Sequence, residues 1–335
     1  MKNKLSIRVL SLLIAAITVF SLSGCSTSRP IESTEDDLRV VGTVGEFEVL
    51  YEELRFVVVT YKRFLMANYG EDIFNDPATA EKYTDMLRDY VYKNITANYA
   101  VLTMCREVGM EASDPKLQEA VQKAIENDVR DLGGRRKYKK HLKNSNMTDH
   151  FNRFNICVDI MQNELFYVYV DDLGLIESDD DKIYDIIKNE FVRTQHIYVS
   201  KSNGKSYDEN KQNIESLYAM LSDGADFKQL AMSGGEPRAE SEIDMYITKG
   251  YMSDKYEETA FSLDIGEYSD IIEDEKGFYI IKRLELESLY IMMNFKELSD
   301  NYMYYSFMEM IDETQAQLTF VPNDYLRGLD LLDIE

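Results

Sequence analysis

With three cysteines and three histidines in 335 residues, the chain has few side chains that could carry nucleophilic or metal chemistry. Cys25 follows Leu22-Ser23-Gly24, and ahead of it lie a basic start (Lys2, Lys4, Arg8) and an apolar run from Val9 to Phe20. That run falls short of the about 20 apolar residues a membrane-spanning helix needs and suits the core of a secretory leader. The small residues before the cysteine resemble a bacterial lipobox, so Cys25 is expected to be lipidated and to become the mature N-terminus. A diacylglycerol supplies two acyl chains, enough for stable anchoring where one is marginal. Cys105 and Cys157 fall in separate helical patterns and read as buried free thiols, and there is no Cys-x-x-Cys. His141, His150 and His196 show no metal-ligand spacing, so neither a metal nor a cofactor is expected. His196 lies in a strand-like Gln195-His196-Ile197-Tyr198-Val199.

The formal charge is −24, and removing the three cations of the leader leaves −27 on the mature chain. Nucleic-acid binding is disfavoured, because phosphate neutralisation needs clustered Lys and Arg. An acidic body is repelled by anionic lipid and wall polymer, and it could attract unfolded basic segments emerging from the secretion channel. One basic island interrupts it, Arg135-Arg136-Lys137-Tyr138-Lys139-Lys140-His141-Leu142-Lys143. It reads as a solvated helix face after Gly133-Gly134, paired with nearby acids; a contact patch for wall polymer or phospholipid heads is the sharper alternative.

The elements that must position these residues follow from periodicity. Polar residues 26–37 read as a flexible tether. Val40 to Val49 reads as two short strands around a turn at Gly45-Glu46, and Tyr51 then begins a helix whose apolar face includes Phe56, Val59, Phe64 and Leu65. Helices are predicted over 78–110 (broken or bent), 115–132, 135–142 and 147–170. In the last of these the stripe of Val158, Met161, Leu165 and Val168 reads as core, with the methionines able to form an adaptable apolar cradle. Ser178 is the predicted N-cap of a helix ending at Glu190, with Asp179, Asp180 and Asp181 in its first turn complementing the dipole rather than binding calcium. A helix over 294–317 and a strand-like Leu318-Thr319-Phe320-Val321 close the pattern.

Between Gln195 and Glu285 the landmarks come in a definite order. After Gln195-His196-Ile197-Tyr198-Val199 come Asp223-Gly224-Ala225-Asp226-Phe227, then Ala260-Phe261-Ser262-Leu263-Asp264-Ile265-Gly266, then Gly277-Phe278-Tyr279-Ile280-Ile281-Lys282. That order resembles a parvulin domain, a peptidyl-prolyl cis-trans isomerase module. Prolyl isomerisation faces a barrier of about 18–20 kcal/mol and needs no nucleophile. It needs an apolar grip on the prolyl ring and stabilisation of the twisted amide. The resemblance implies His196 as the first of two pocket histidines and Met252 as a pocket wall. Tyr256 stands where the family has phenylalanine, and Tyr279 where it has the second histidine. The polar Cys or Asp should fall near Ser233-Gly234-Gly235, and a Gly-Asp-Leu-Gly turn is replaced by Glu242-Ile243-Asp244-Met245. Two readings stay open. Either Tyr279 donates a hydrogen bond to His196 while Ser233 replaces the missing polar group, or His196 is structural and the domain is a retained scaffold.

Helices on both sides of this module, with an N-terminal strand pair, are similar to the PrsA and SurA family of extracytoplasmic chaperones. The resemblance implies an α+β chain: leader 1–24, tether 25–37, an N-terminal helical chaperone domain 38–190, a parvulin-like domain 191–287, and a C-terminal segment 288–335 completing the chaperone domain. It implies a lipid-anchored extracytoplasmic folding factor that binds unfolded secreted polypeptides, with an isomerase that is weak or inactive. An active isomerase is the alternative, and a solute-binding lipoprotein of a transporter the more distant one. A homodimer is compatible with the helical flanks.

Overall fold

A computed structural model describes residues 32–235 and 243–335. The leader, Cys25 and Glu242 lie outside the described residues. The chain is α+β, as predicted. Strands β1 (Val40–Val44) and β2 (Phe47–Leu50) form the expected hairpin, followed by α1 (Tyr51–Tyr69), α2 (Ala80–Glu107), α3 (Pro115–Asp131), α4 (Arg135–Asn144) and α5 (Asp149–Tyr167). The last runs on into a π-helical turn, Val168–Asp172. Next come α6 (Asp180–Glu190), β3 (Val192–Ser200), α7 (Tyr207–Ser222), α8 (Phe227–Ser233), β4 (Asp244–Ile247), α9 (Asp254–Ser262), β5 (Ile272–Glu273) and β6 (Gly277–Leu284). The chain ends with α10 (Ser288–Met293), α11 (Phe295–Ala316), β7 (Phe320–Pro322) and the short α12 (Asp324–Arg327).

Two sheets organise these elements. The first has the order β2-β1-β7, so the last strand of the chain pairs antiparallel with the first. Gly42 permits that pairing: a Cβ there would lie 2.6 Å from the Val321 carbonyl oxygen and 2.5 Å from the Phe320 ring. Around this sheet the helices share one core, in which Leu54, Leu87, Val91, Met161 and Leu165 from the first half meet Phe307 and Ile311 from α11. The second sheet, β4-β3-β6-β5, is wholly antiparallel. Its β3 is central and alternates its side chains between two cores. Ile197 and Val199 join Phe278, Ile280 and residues of α7 and α8 on one face. Val192 joins Ile281, Tyr279 and Tyr256 of α9 on the other.

Caps account for many helix starts. Asp114 accepts from the Lys116 and Leu117 amides ahead of Pro115, and Ser206 and Glu209 close a reciprocal box around the start of α7.

Several expectations need correction. Residues 33–37 belong to the folded body rather than to a free tether: Ser33 donates to Glu52 at 2.6 Å, and buried Asp37 pairs with buried Arg55 of α1. The α2 helix is continuous rather than broken, because its 28 residues contain neither proline nor glycine and keep one face buried throughout. Phe64 is 52% exposed and stacks on Tyr61, so the buried face of α1 runs through Leu54, Val57, Val58 and Leu65 instead. Asp179, not Ser178, caps α6, its carboxylate accepting from the Lys182 amide at 3.1 Å. The strand expected at 318–321 begins only at Phe320. Beyond it the tail folds back, and Lys62 of α1 donates to the carbonyls of Leu332 and Ile334. Cys105 and Cys157 are free and buried, as expected, and burial pushes the Cys105 thiol up to about 12.

Candidate functional site

The alternation of β3 places Val192, Thr194, His196 and Tyr198 on the sheet face that α9 covers. In register, His196 lies opposite Ile281 and Tyr198 opposite Tyr279. His196 is 3% exposed and Tyr256 fully buried, so the site is a packed interior rather than a rim. The Tyr256 hydroxyl lies 3.1 Å from Thr194 Oγ1 and 3.1 Å from His196 Nδ1. Burial raises the Tyr256 phenol pKa well above its ordinary value, and the Thr194 hydroxyl lowers it slightly, as a donor to the phenol oxygen would. The Tyr256 hydroxyl thus bridges Thr194 and His196 Nδ1.

Tyrosine rings close the remaining sides. Tyr279 meets His196 edge-on at 5.7 Å and Tyr256 edge-on at 5.4 Å, with ring planes near perpendicular, a favourable quadrupole arrangement. Tyr198 lies 6.2 Å from His196 and 4.7 Å from Tyr279. The Tyr279 phenol, raised chiefly by burial and then by Asp274, is hydrogen-bonded to the Tyr198 hydroxyl, which donates to the Lys276 carbonyl at 3.0 Å. Tyr279 therefore presents its ring edge to His196 and its hydroxyl to Tyr198; a hydrogen bond from Tyr279 to His196 is one of the two readings that the sequence leaves open.

Ser233 does not join this cluster. It is exposed, and its hydroxyl donates to the Gln229 carbonyl one turn back at 2.7 Å, a common use of serine within a helix. Its helix, α8, packs Phe227 and Ala231 into the core on the opposite face of the sheet. The hydroxyl beside His196 Nδ1 is that of Tyr256, not Ser233. Met252 is half-buried and packs against the Tyr256 core. Its amide donates to Glu257 at 2.7 Å, and the other oxygen of that carboxylate accepts from Gly250 at 3.0 Å. Glu257, whose acidity burial weakens, thereby fastens the 249–252 turn to α9. Tyr251 leans on Tyr305 of α11 at 5.2 Å. Sequence reasoning missed Thr194, Tyr198 and Glu257. The period of two through His196 would have found the first two, since residues i ± 2 share a strand face.

Elsewhere two hollows open in the helical part. One, of about 380 Å³, is lined by Phe47, Tyr99, Phe151, Phe154 and Met161, with Glu52 and Glu53 in its wall. The other, of about 480 Å³, lies where the π-helical turn meets α11, between Phe166, Val170, Phe295 and Met303. On α10, Leu289, Met292 and Met293 are 68%, 66% and 76% exposed. Among the described residues no group of three or more His, Cys, Asp or Glu could hold a metal ion, and no helix is long and apolar enough to cross a membrane.

Residues 182–286 match the PPIC-type PPIASE domain family. Foldase protein PrsA of Caldanaerobacter subterraneus is 24% identical over 284 residues, 82% of each chain. Foldase protein PrsA of Oceanobacillus iheyensis is 33% identical over 115 residues, 33% of this chain and 35% of that one. The crystal structure of peptidylprolyl isomerase (PrsA) from Bacillus anthracis aligns with a TM-score of 0.34 at 19% identity, covering 65% of this chain and 94% of the other. Residues 182–286 thus match the PPIC-type PPIASE domain family, within a chain similar to foldase protein PrsA along most of its length.

Proposed function

We propose that the protein is a lipid-anchored, extracytoplasmic folding factor that binds unfolded secreted polypeptides, and that its PPIC-type domain has little or no prolyl isomerase activity. The anchor would be a lipid on Cys25. The body would be a helical chaperone domain, residues 38–190 with 288–335, into which residues 191–287 are inserted. The β1–β7 pairing and the shared core of α2, α5 and α11 support that division. Apolar client segments would use the two hollows and the exposed Leu289, Met292 and Met293, where unbranched methionine adapts to many partner shapes.

One observation carries the reading of weak catalysis. Around His196, where a prolyl ring would have to be gripped, the volume is taken by Tyr198, Tyr256 and Tyr279, and Nδ1 is already engaged by Tyr256. Residues 182–286 keep the match to the PPIC-type domain family, while the face around His196 is filled from within by tyrosine rings. Exchange NMR of prolyl isomerisation in a series of proline-containing tetrapeptides tests this, using the mature chain and His196→Ala, with suppression of aggregation of an unfolded client measured beside it. The expected result is no rate enhancement with suppression retained. Enhancement by the parent that disappears in His196→Ala would refute it and make the protein an active isomerase.

A further inference from the structure

In a chain of formal charge −24, α4 is an exception that its neighbours do not neutralise. Tyr138 and Leu142 are its buried residues, fixing which face turns inward. On the outward side Arg136, Lys139, Lys140 and Lys143 recur at i, i+3, i+4 and i+7, so they share one face. All four are exposed, and among the described residues none of them is in an ion pair. The pairing with nearby acids expected from sequence is therefore missing. A cationic stripe with no ion-pair partner among the described residues, on a body otherwise repelled by polyanions, points to a complement outside the molecule.

The position of the stripe indicates which complement. Glu52 of α1 accepts from Ser33 at 2.6 Å and from Thr148 at 2.6 Å, and its other oxygen contacts His150. The first folded residues are thereby tied to the loop that follows α4 and to the first turn of α5. Ser33 stands eight residues beyond Cys25, a stretch that spans at most about 28 Å when fully extended. If Cys25 carries the lipid, as the proposed function holds, the anchor leaves the body beside α4 and keeps it within reach of the bilayer surface.

We infer that α4 is a membrane-facing surface, docking through Arg136, Lys139, Lys140 and Lys143 on the anionic phospholipid headgroups of the membrane in which Cys25 is anchored. Juxtamembrane cations are attracted to such a surface within a Debye length, about 10 Å at moderate salt, and a tether no longer than about 28 Å lets the body approach to that range. The contact would orient the chaperone so that the opposite side of the helical body faces away from the bilayer.

The test is the lipid-anchored mature protein in vesicles of phosphatidylglycerol or of phosphatidylcholine, treated with a water-soluble amine-acylating reagent and read by peptide mass spectrometry. Lys139, Lys140 and Lys143 should react about 5-fold more slowly on phosphatidylglycerol at low salt, and recover in about 0.5 M salt. Lys205 and Lys211, exposed on the PPIC-type domain, should react equally on both. Equal rates at α4 on the two lipids, or slowing of the control lysines to the same degree, would overturn the inference. So would protection that appears only on adding a soluble glycerol-phosphate polymer, which would assign the stripe to wall polymer. Absence of lipid on Cys25 is seen separately, as failure of the protein to enter vesicles, and would strike at the anchoring reading instead.

Discussion

Replacing Tyr256 with phenylalanine removes one oxygen from a fully buried side chain and keeps the ring, so it isolates the polar half of the His196 site. That oxygen bridges Thr194 and His196 at 3.1 Å each. Two hydrogen bonds of ordinary net worth, about 0.5–1.5 kcal/mol each, are lost together. The buried Nδ1 of His196 loses its hydrogen-bond partner and incurs part of a desolvation cost of about 1–3 kcal/mol. The sum is about 2–3 kcal/mol. For a unit of about 100 residues melting on its own, that corresponds to a fall of roughly 10–20 °C in Tm. The chain has no tryptophan, so urea unfolding is best followed by tyrosine emission and far-ultraviolet circular dichroism.

The same geometry fixes a second observable. If donation runs from Thr194 to Tyr256 to His196, then Thr194→Val and Tyr256→Phe remove parts of one chain. Their double mutant should lose about 1 kcal/mol less than the sum of the singles. A Tyr256→Phe protein within about 0.5 kcal/mol of the parent, or strict additivity with Thr194→Val, would refute the account of the relay.

Glu53 is held by the Leu50 amide and the Tyr99 hydroxyl inside the helical part, and burial raises its pKa from 4.5 to about 7. Between those values the folded state keeps a proton that the unfolded state has lost, so stability falls as pH rises from 4.5 to 7, by up to about 3 kcal/mol. Glu53→Gln should flatten that slope and be the more stable protein at pH 8 in urea titrations; a parent and variant with parallel pH profiles would exclude Glu53 as the source. Phe307 of α11 is 1% exposed and meets Phe166 and Tyr169 edge-on. Phe307→Ala should cost about 3–5 kcal/mol and raise hydrogen exchange in α11 and α5 together, leaving β3 and β6 protected.

How much of this was legible in the sequence depends on how local each feature is. The hairpin at Gly45, α3 behind Asp114-Pro115 and the strands around His196 and Tyr279 are written in adjacent residues, and they emerged within a residue or two. The closure of the first sheet by β7 joins residues almost 280 apart, and no short-range signal announces it beyond the strand-like character of Phe320 and Val321. Phe64 shows the limit of periodicity: it sits at helical spacing with buried residues, yet a neighbouring tyrosine rather than the core takes its ring. Ser233 shows the limit of matching by position. Its place in the chain was right for a polar pocket residue, but the serine's own helix lies on the far face of the sheet and absorbs its hydroxyl.

The tyrosines around His196 explain how a family frame can persist while its reactive face is filled. Tyr256 and Tyr279 are longer than the phenylalanine and histidine that the resemblance implies, and a tyrosine's oxygen is costly if buried without a partner. Here each oxygen has one: Thr194 and His196 for Tyr256, Tyr198 for Tyr279, and the Lys276 carbonyl for Tyr198. The network is self-contained, so it stabilises the sheet without needing a prolyl substrate to complete it. A pocket kept for catalysis would hold apolar volume open against collapse and leave a donor aimed into it. Self-satisfaction around His196 fits a domain retained for its fold, and on the proposed function client binding would then fall to the methionine-rich α10 and the hollows of the helical part.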